Sequence, residues 1–360
     1  MNNRFEPNKA SINCLHGSLA GGAIGDSLGL AFEALSRKRG KNILGHPIPN
    51  RLFFGYGMVS DDTEHACMTA VSLIKSNGDP ELFEKELISQ LRCWFLCLPP
   101  ATGMATAKAC LKSLIGIPPE KIGANSAGNG PAMRAAIIGC SINNLDAIKR
   151  LISISSKLTH TDQRSEEGAL LIALAAQWSR KNPRKDSGDF FNYLKNSIEL
   201  TDHSPFRDGL KSLQDSLSKN ENTLLFAEKI GSKRGVSGFI VPTTLVALHS
   251  WLANLNNFEK TVIDCILCGG DTDTVAAISG SLAGAYIGYD NIPKNLGQKI
   301  IDYPFSYKRL SLLAIELEKL PNQGERRPWV GKRWILMPLR NLILVLLILL
   351  HSLRRIAPPY

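Results

Sequence analysis

Apolar residues recur along most of this chain at intervals of three and four positions, the spacing of one face of an α-helix. Segments rich in glycine, proline, asparagine and aspartate separate the periodic stretches, as in SNGDP at 76–80 and RKNPRKDSGD at 180–189. The strict alternation of apolar and polar residues that marks a half-buried strand is nearly absent. The pattern therefore predicts an all-α protein.

The clearest predicted helices share a strong three-to-four periodicity and a break at each end. They cover residues 11–31, 62–76, 80–97, 103–115, 130–140, 144–156, 165–180, 206–217, 236–253, 258–268, 272–287 and 304–319. No long linker precedes residue 320, and no repeat has a fixed period. We therefore predict one compact multi-helix domain over residues 1–320, followed by a basic, apolar helical tail over residues 321–360.

The charge of the chain is unevenly distributed. Lys and Arg number 42 against 32 Asp and Glu, a net charge of +10. Residues 321–360 contain seven Lys and Arg residues and only one acid, Glu325, so most of the excess belongs to the tail. No aromatic–basic platform or nucleic-acid-binding motif accompanies it, so we do not predict a nucleic-acid partner. The 44% hydrophobic content excludes a disordered chain.

The tail contains a short, uninterrupted apolar run, Leu342–Leu350. As a helix this run spans about 14 Å, roughly half of the hydrocarbon thickness of a bilayer. Basic residues flank it on both sides, which suits peripheral attachment to an anionic membrane surface. The alternative is a terminal helix that packs on the domain or on a second subunit. The sequence leaves both open.

Most of the eight cysteines lie in apolar runs, which favours buried, reduced thiols. Cys265 and Cys268 have CxxC spacing, but no second pair and no nearby histidine accompany them, so we do not predict a zinc site. The first residues lack the apolar region of a secretory signal. These observations together predict a cytoplasmic protein.

Two predicted helices begin with clustered acids and hydroxyls. One start reads Ser60-Asp61-Asp62-Thr63, and the other is GGDTDT at 269–274. Helix capping would explain each cluster separately. If the two starts converge, however, four aspartates and several hydroxyls surround one point, and their repulsion favours a bound cation. Ligands that are all oxygen suit Mg²⁺ or Mn²⁺.

Three further segments could contribute to a site. The glycines of GSLAGGAIGDSLGLAFE (17–33) lack the lysine of a phosphate-binding loop, and their small size favours the close approach of another helix, whereas Glu33 could reach a central site. The loop NSAGNGPAMR (125–134) is either structural or offers backbone amides to a phosphate. His160, in the polar loop LTHTD (158–162), is either a structural histidine or a ligand contact.

Taken in order, these segments resemble the ADP-ribosylglycohydrolase family. The resemblance covers residues 11–319, and the residues that carry it are GDSLGLAFE (25–33), SDDTEHACM (60–68), GNGPAMR (128–134), LTHTD (158–162) and GGDTDT (269–274). It implies an all-α fold, two divalent cations (Mg²⁺ or Mn²⁺), and hydrolysis of the glycosidic bond between ADP-ribose and an ADP-ribosylated protein or small molecule.

The resemblance also implies a role for particular residues. The implied metal ligands are Ser60, Asp61, Asp62, Asp271, Asp273 and Thr274. The implied substrate-binding residues are Ser126, Gly128, Asn129, Gly130 and His160. Glu33 and Asp62 are the implied catalytic carboxylates.

Two departures from the family pattern are visible. Ser60 stands where the family usually has threonine, which keeps a hydroxyl. The loop Leu98–Thr106 has no acid, whereas some arginine-specific members have one near this position, so arginine specificity is not supported. Two other functions remain open: an ADP-ribose reader or regulator without turnover, and a metal-dependent phosphohydrolase that acts on nucleotides.

Overall fold

The computed structural model describes residues 9–181, 187–320 and 334–356. Within these ranges the chain forms helices and isolated β-bridges, and no β-strand is present. The prediction of an all-α fold is confirmed.

The longer helices form the body of the molecule. They are α1 (Lys9–Gly29), α3 (Asp61–Ser76), α4 (Pro80–Leu96), α5 (Met104–Leu114), α9 (Leu145–Lys157), α10 (Gln163–Lys181), α11 (Ser187–Ser197), α12 (Pro205–Ser218), α14 (Ile240–Ala253), α15 (Phe258–Leu267), α16 (Thr272–Ile287), α18 (Tyr307–Glu318) and α19 (Met337–Ile356). The shorter ones are α2 (Arg37–Ile43), α6 (Pro119–Ile122), α7 (Gly130–Met133), α8 (Ala135–Ser141), α13 (Thr223–Lys229) and α17 (Lys294–Gly297).

Helices α1 and α16 form an antiparallel pair at the centre of the core. Both are buried along nearly their whole length, and glycines line their contact. A Cβ atom on Gly21 would lie 2.2 Å from the carbonyl oxygen of Gly280, and one on Gly25 would lie 2.0 Å from that of Ala276. The glycines thus permit backbone-to-backbone contact, as the sequence predicted, and they do not form a phosphate-binding loop.

The antiparallel arrangement positions the site. Because α1 ends where α16 begins, Gly29 lies against Thr272, whose hydroxyl donates to the Gly29 carbonyl at 2.9 Å. Two further hydrogen bonds join the segments on either side: Ala34 N–H to Gly270 O at 2.8 Å, and Gly270 N–H to Leu35 O at 3.1 Å. The GGDTDT turn is therefore fixed beside the end of α1.

Each of the twelve predicted helices is present, with differences at some boundaries. The predicted helix 130–140 is divided into α7 and α8 at Arg134, and the predicted helix 236–253 begins only at Ile240. Helices α2, α6, α11, α13 and α17 were not predicted. Four of them have seven residues or fewer, which is too short for the periodicity to be visible, and α11 (SGDFFNYLKNS) begins inside the polar segment 180–189.

The tail forms a helix, α19, that packs on the domain through one face. Met337, Arg340, Asn341 and Leu344 are buried, whereas leucines on the other face are exposed. None of the described helices is long and apolar enough to cross a membrane. The predicted basic flank at Arg326, Arg327, Lys332 and Arg333 lies outside the described residues.

All eight cysteines are free, and all except Cys93 are buried. Burial raises the pKa of Cys265 to about 12 and raises the pKa of Cys268 well above its usual range, so these thiols stay protonated. They behave as small core residues, as the sequence predicted.

Candidate active site

The two acid-bearing helix starts meet at one point. The Thr274 hydroxyl, in the first turn of α16, donates to Asp62 Oδ2 in the first turn of α3 at 3.1 Å. The Ser60 hydroxyl donates to the same oxygen at 3.2 Å. The convergence that the sequence left conditional is therefore present, and it places hydroxyls from both helices on one carboxylate.

Asp26, on α1, holds the start of α3 in position. Its carboxylate accepts from Ser60 N–H at 2.9 Å, from Thr63 N–H at 3.1 Å and from the Thr63 hydroxyl at 2.5 Å. Burial raises the pKa of this fully buried group to about 6, although the hydrogen bonds from Thr63 and Ser60 oppose the increase. Asp26 thus satisfies amides that every helix leaves free at its first turn.

The aspartates repel one another in a poorly solvated space. Burial is the largest cause that raises the pKa of Asp61, Asp62 and Asp273 well above the usual range. Neighbouring carboxylates raise each of these pKa values further, and Asp271 contributes to all three. Such a group of acids is held together at a cost in free energy unless protons or cations neutralise it.

The site also contains an unsatisfied polar atom. Asp62 Oδ1 is buried and has no hydrogen-bond partner. Across the described part of the chain, however, no three His, Cys, Asp or Glu side chains are arranged as a ready-made metal site. The donors are hydroxyl and carboxylate oxygens, which are the ligands that hard divalent cations prefer.

Glu33 lies at the end of α1, just after a short 3-10 turn at Leu30–Phe32. It lines the same cleft as Asp61 and Asp273, and its charge raises the pKa of both aspartates. Glu33 therefore lies in the same cleft as the acidic cluster.

The 126–130 loop is tied to the acidic cluster through Asn129. The Asn129 side-chain amide donates to Asp271 Oδ2 at 2.7 Å and to the Thr243 hydroxyl at 3.1 Å. The backbone N–H of Asn129 donates to Gly238 O at 3.0 Å. The Ser126 hydroxyl accepts from Gly128 N–H at 3.3 Å. Asn129 thus connects the glycine loop to the start of α16.

His160 packs directly against this loop. A Cβ atom on Gly128 or on Gly130 would lie 2.9 Å from the imidazole ring, so a side chain at either position would displace this ring. Burial, together with the nearby charge of Arg134, lowers the pKa of His160 to about 3. The ring is therefore neutral at physiological pH, and Nδ1 lies 2.9 Å from the Thr159 hydroxyl.

A cleft of about 540 Å³ contains nearly all of the predicted residues, a volume typical of small-molecule sites. Its lining includes Glu33, Ser60, Asp61, Ser126, Gly128, Asn129, Gly130, His160, Asp271, Asp273 and Thr274. Asp62 lies beneath this surface. A larger cavity, of about 1280 Å³, lies around residues 10–14, 256–263 and 285–293 and contains none of these acids.

Three residues important to the cleft were not assigned from the sequence. Asp26 was visible only as a lone acid in a glycine-rich apolar helix. Arg134 is fully buried and joins His65, Ser155 and Thr159 through hydrogen bonds. Arg340 belongs to the tail and lines the cleft.

The sequence profile of the ADP-ribosylglycohydrolase family matches residues 8–326. The chain belongs to the ADP-ribosylglycohydrolase family. It is therefore an enzyme, and the family supports hydrolysis of ADP-ribose linkages as its reaction. Helix α19 lies beyond the residues that the profile matches.

The individual relatives have low sequence identity to this chain, but the alignments extend over most of each relative. The chain is 26% identical to ADP-ribosylhydrolase ARH3 of Gallus gallus over 328 residues, which covers 78% of this chain and 87% of the relative. It is 27% identical to an uncharacterized protein of Archaeoglobus fulgidus, and the alignment covers 76% of this chain and 86% of the relative. A solved structure described as an ADP-ribosylglycohydrolase-related protein complex shares the fold, with a TM-score of 0.64, 22% identity, and coverage of 87% of this chain and 99% of that chain.

Proposed function

We propose that this ADP-ribosylglycohydrolase cleaves the glycosidic bond between C1″ of ADP-ribose and a modified protein side chain or small acceptor. The observation that carries this proposal is the Thr274–Asp62 hydrogen bond, which brings both acidic helix starts into one cleft beside the glycine loop. Family membership supports the reaction type. The convergence supports the residues that we assign to it.

We further propose that the site holds two divalent cations, Mg²⁺ or Mn²⁺. The ligands would be the six residues that the family resemblance implies: Ser60, Asp61, Asp62, Asp271, Asp273 and Thr274. The unpartnered Asp62 Oδ1 and the mutual repulsion of the aspartates support this assignment. When bound, such ions would orient the ribose hydroxyls and lower the pKa of water.

The carboxylates supply acid–base chemistry. Cleavage of the C1″ bond passes through an oxocarbenium-like state, and water adds to C1″. Asp62 or Glu33 accepts the proton of that water as general base, because both lie at the acidic cluster. Burial raises the pKa of Asp62, so this carboxyl group accepts protons closer to neutral pH. The acceptor leaves as its bond to C1″ breaks, and the carboxyl group returns this proton to it, so that water is divided between C1″ and the acceptor.

The glycine loop and His160 bind the rest of the substrate. The diphosphate lies against backbone amides of the 126–130 loop. Because His160 is neutral, it contacts the ligand as a hydrogen-bonding and packing group and not as a fixed positive charge. The absence of Cβ atoms at Gly128 and Gly130 keeps its ring against the loop.

A product assay with ADP-ribosylated acceptors, with and without divalent metal, tests the proposal. We expect Asp273→Asn and Glu33→Gln to lower turnover at least a hundredfold, the usual range for lost acid–base or electrostatic groups. Asp273→Asn removes a repelled buried charge, so the metal-free protein is expected to unfold at the same or a higher temperature. Asp208→Asn, which changes an exposed acid on α12, serves as the matched control.

Each other outcome identifies a different function. Tight ADP-ribose binding without release from any acceptor would indicate a reader. Phosphate release from nucleotides without free ADP-ribose would indicate a phosphohydrolase. Full activity of Asp273→Asn after chelation of divalent metal would overturn the assigned mechanism.

We also propose that α19 attaches the enzyme peripherally to an anionic membrane surface. Its outward face carries exposed leucines at helical spacing: Leu339, Leu342, Leu346, Leu350 and Leu353. Arg354 and Arg355 follow in the sequence, and basic residues beside an apolar face favour anionic lipid. We expect co-sedimentation with vesicles that contain phosphatidylserine, and loss of binding in Leu346→Glu/Leu350→Glu. Equal sedimentation of both proteins would contradict this proposal.

A further inference from the structure

Helix α19 is anchored to the domain by a fully engaged arginine. All five N–H groups of the Arg340 guanidinium have acceptors. Nε donates to Asp302 at 3.1 Å, and Nη2 donates to Asp302 at 2.6 Å and to Val59 O. Nη1 donates to Glu64 at 2.5 Å and to Asn341 at 3.0 Å. Arg340 therefore fixes the helix and has no donor left for a ligand.

Two more hydrogen bonds fix α19 along its length. The Asn341 side chain donates to Cys97 O at 2.8 Å, and His351 Nε2 lies 2.7 Å from Leu52 O. The three anchors extend from residue 340 to residue 351, about three turns of helix. The face that α19 presents to the domain is thus set by specific polar contacts in addition to apolar packing.

This anchored face forms part of the cleft. Arg340, Leu344 and Ile348 follow one another at four-residue spacing, so they lie on one face, and all three line the cleft that contains the acidic cluster. The 100–106 loop, whose last three residues form the first turn of α5, lines the same cleft with Pro100, Ala101, Gly103, Met104, Ala105 and Thr106. Helix α19 therefore completes the cleft with residues from outside the family match.

The wall made by α19 and the 100–106 loop offers no free charge. The donors of Arg340 are occupied, and the loop contains no acid. Glu64 is almost completely buried and accepts from both Arg340 and the Trp94 indole at 2.5 Å each. A cationic group that reached this wall would meet no unpaired carboxylate on it, and its desolvation would cost free energy.

The parts of the cleft lining outside the α19 wall are held by hydrogen bonds to other elements of the domain. The 126–130 loop bonds to Asp271, Thr243 and Gly238, and the acids lie on α3 and α16. If the diphosphate occupies that loop and the ribose occupies the acidic cluster, as in the proposed function on which this inference rests, the remaining lining includes two regions. Residues 236–238 lie beside the 126–130 loop, through the hydrogen bond from Asn129 N–H to Gly238 O, and are left for the adenosine beyond the diphosphate. The α19 wall lies beside the start of α3, because Arg340 pairs with Glu64 in the first turn of that helix, and it therefore faces the group attached at C1″.

We propose that α19 is a specificity-determining wall of the active site, which restricts the acceptor attached at C1″ of ADP-ribose to small, uncharged groups. Ile348 is the residue that sets the width, because it is half-buried and lines the cleft, whereas Leu344 is buried in the core. The acceptors excluded by this wall are bulky groups and guanidinium groups.

Opposite changes at Ile348 test the inference. The probes are ADP-ribose with a methoxy group at C1″ and ADP-ribose with a bulky aryloxy group there. We expect Ile348→Ala to raise the ratio of kcat/KM for the aryl over the methyl conjugate about tenfold, and Ile348→Trp to lower it by a similar factor, the scale of one or two methylenes in a pocket. The use of a ratio removes the different reactivity of the two leaving groups.

Matched control variants distinguish a change in the width of the cleft from a general effect of the substitutions on the protein. Ile115, an exposed residue at the end of α5 and outside the cleft lining, is changed to Ala and to Trp, and we expect no change in the ratio. Free ADP-ribose lacks the acceptor, so its inhibition constant is expected to stay within twofold in all four variants. Circular dichroism checks that each variant is folded.

The outcomes distinguish this inference from the proposed function. If the Ile348 variants cleave both conjugates with an unchanged ratio, the proposal that α19 determines specificity is wrong, and the proposed function is unaffected. If the conjugates bind but are not cleaved, the ratio of their affinities replaces the ratio of kcat/KM and tests the role of α19 in the same way. If neither conjugate is cleaved and ADP-ribose does not bind, the proposed function fails, and the inference fails with it.

Discussion

At the scale of single residues, hydrogen bonds between distant parts of the chain determine the shape of the cleft. Asp26 holds the first turn of α3 from 34 residues away, and Asn129 reaches Asp271 across 142 residues. The motifs in the sequence made Asn129 and Asp271 candidate site residues. It did not identify Asp26, because a lone acid in an apolar helix has no local pattern that predicts its partner.

A buried histidine outside the cleft links stability to pH. His249 is fully buried on α14, stacks on Phe226 with ring centroids 4.4 Å apart, and lies 3.1 Å from the Ser216 hydroxyl. Burial lowers its pKa from 6.5 to about 4. Between these values the unfolded chain binds the additional proton, so the free energy of unfolding falls as the pH decreases from 6.5 towards 4.

We therefore predict that this histidine removes about 2 kcal/mol of stability between pH 7 and pH 5, from the difference between the two pKa values. In His249→Gln the glutamine does not titrate, so that part of the loss should disappear. Urea unfolding of both proteins at the two pH values measures it. The same pH-dependent loss in the variant would show that His249 is not responsible.

At the scale of helices, the three-to-four periodicity predicted the helices that pack one apolar face against the core. The twelve predicted helices are long enough for the core-facing stripe to be visible, whereas α2 and α13 have only seven residues each. The division between α7 and α8 also escaped prediction. Its cause is tertiary: the Arg134 side chain points into the core, where it joins α3 and the end of α9.

The contact between α1 and α16 also shows what a local sequence pattern does not predict. The glycines of α1 indicated a close helix neighbour but not which one. Gly280 and Gly284 are the matching residues on α16, and they lie more than 250 positions further along the chain. Their pairing is decisive for the site, because it places Glu33 beside the GGDTDT turn.

At the scale of the whole molecule, the tail joins the enzyme domain instead of extending from it. The sequence left membrane attachment and packing as alternatives, since Arg340 and Asn341 interrupt the apolar character of 334–353. In the structure these two residues are buried and anchor α19. The packing alternative is therefore observed for one face of α19. The exposed leucines lie on the other face, where attachment to a membrane stays a proposal.

The anchor leads to a prediction about global stability. Replacing Arg340 by methionine keeps the length of the side chain but leaves the carboxylates of Glu64 and Asp302 buried without their ion-pair partner. Removing one partner of a buried ion pair typically costs about 3–5 kcal/mol. We therefore expect Arg340→Met to lower the midpoint of urea unfolding markedly.

A second substitution separates the lost ion pair from lost packing. In Arg340→Met/Glu64→Gln the uncompensated charge on Glu64 is absent, so part of the stability should return, whereas a packing defect at α19 would persist. Lys219→Met, which breaks an exposed ion pair with Asp215 on the surface, is the control and should leave the midpoint unchanged. If Arg340→Met unfolds at the same urea concentration as the wild type, α19 is not anchored as described. The active-site wall would then lose its support, because the position of Ile348 in the cleft depends on that anchor.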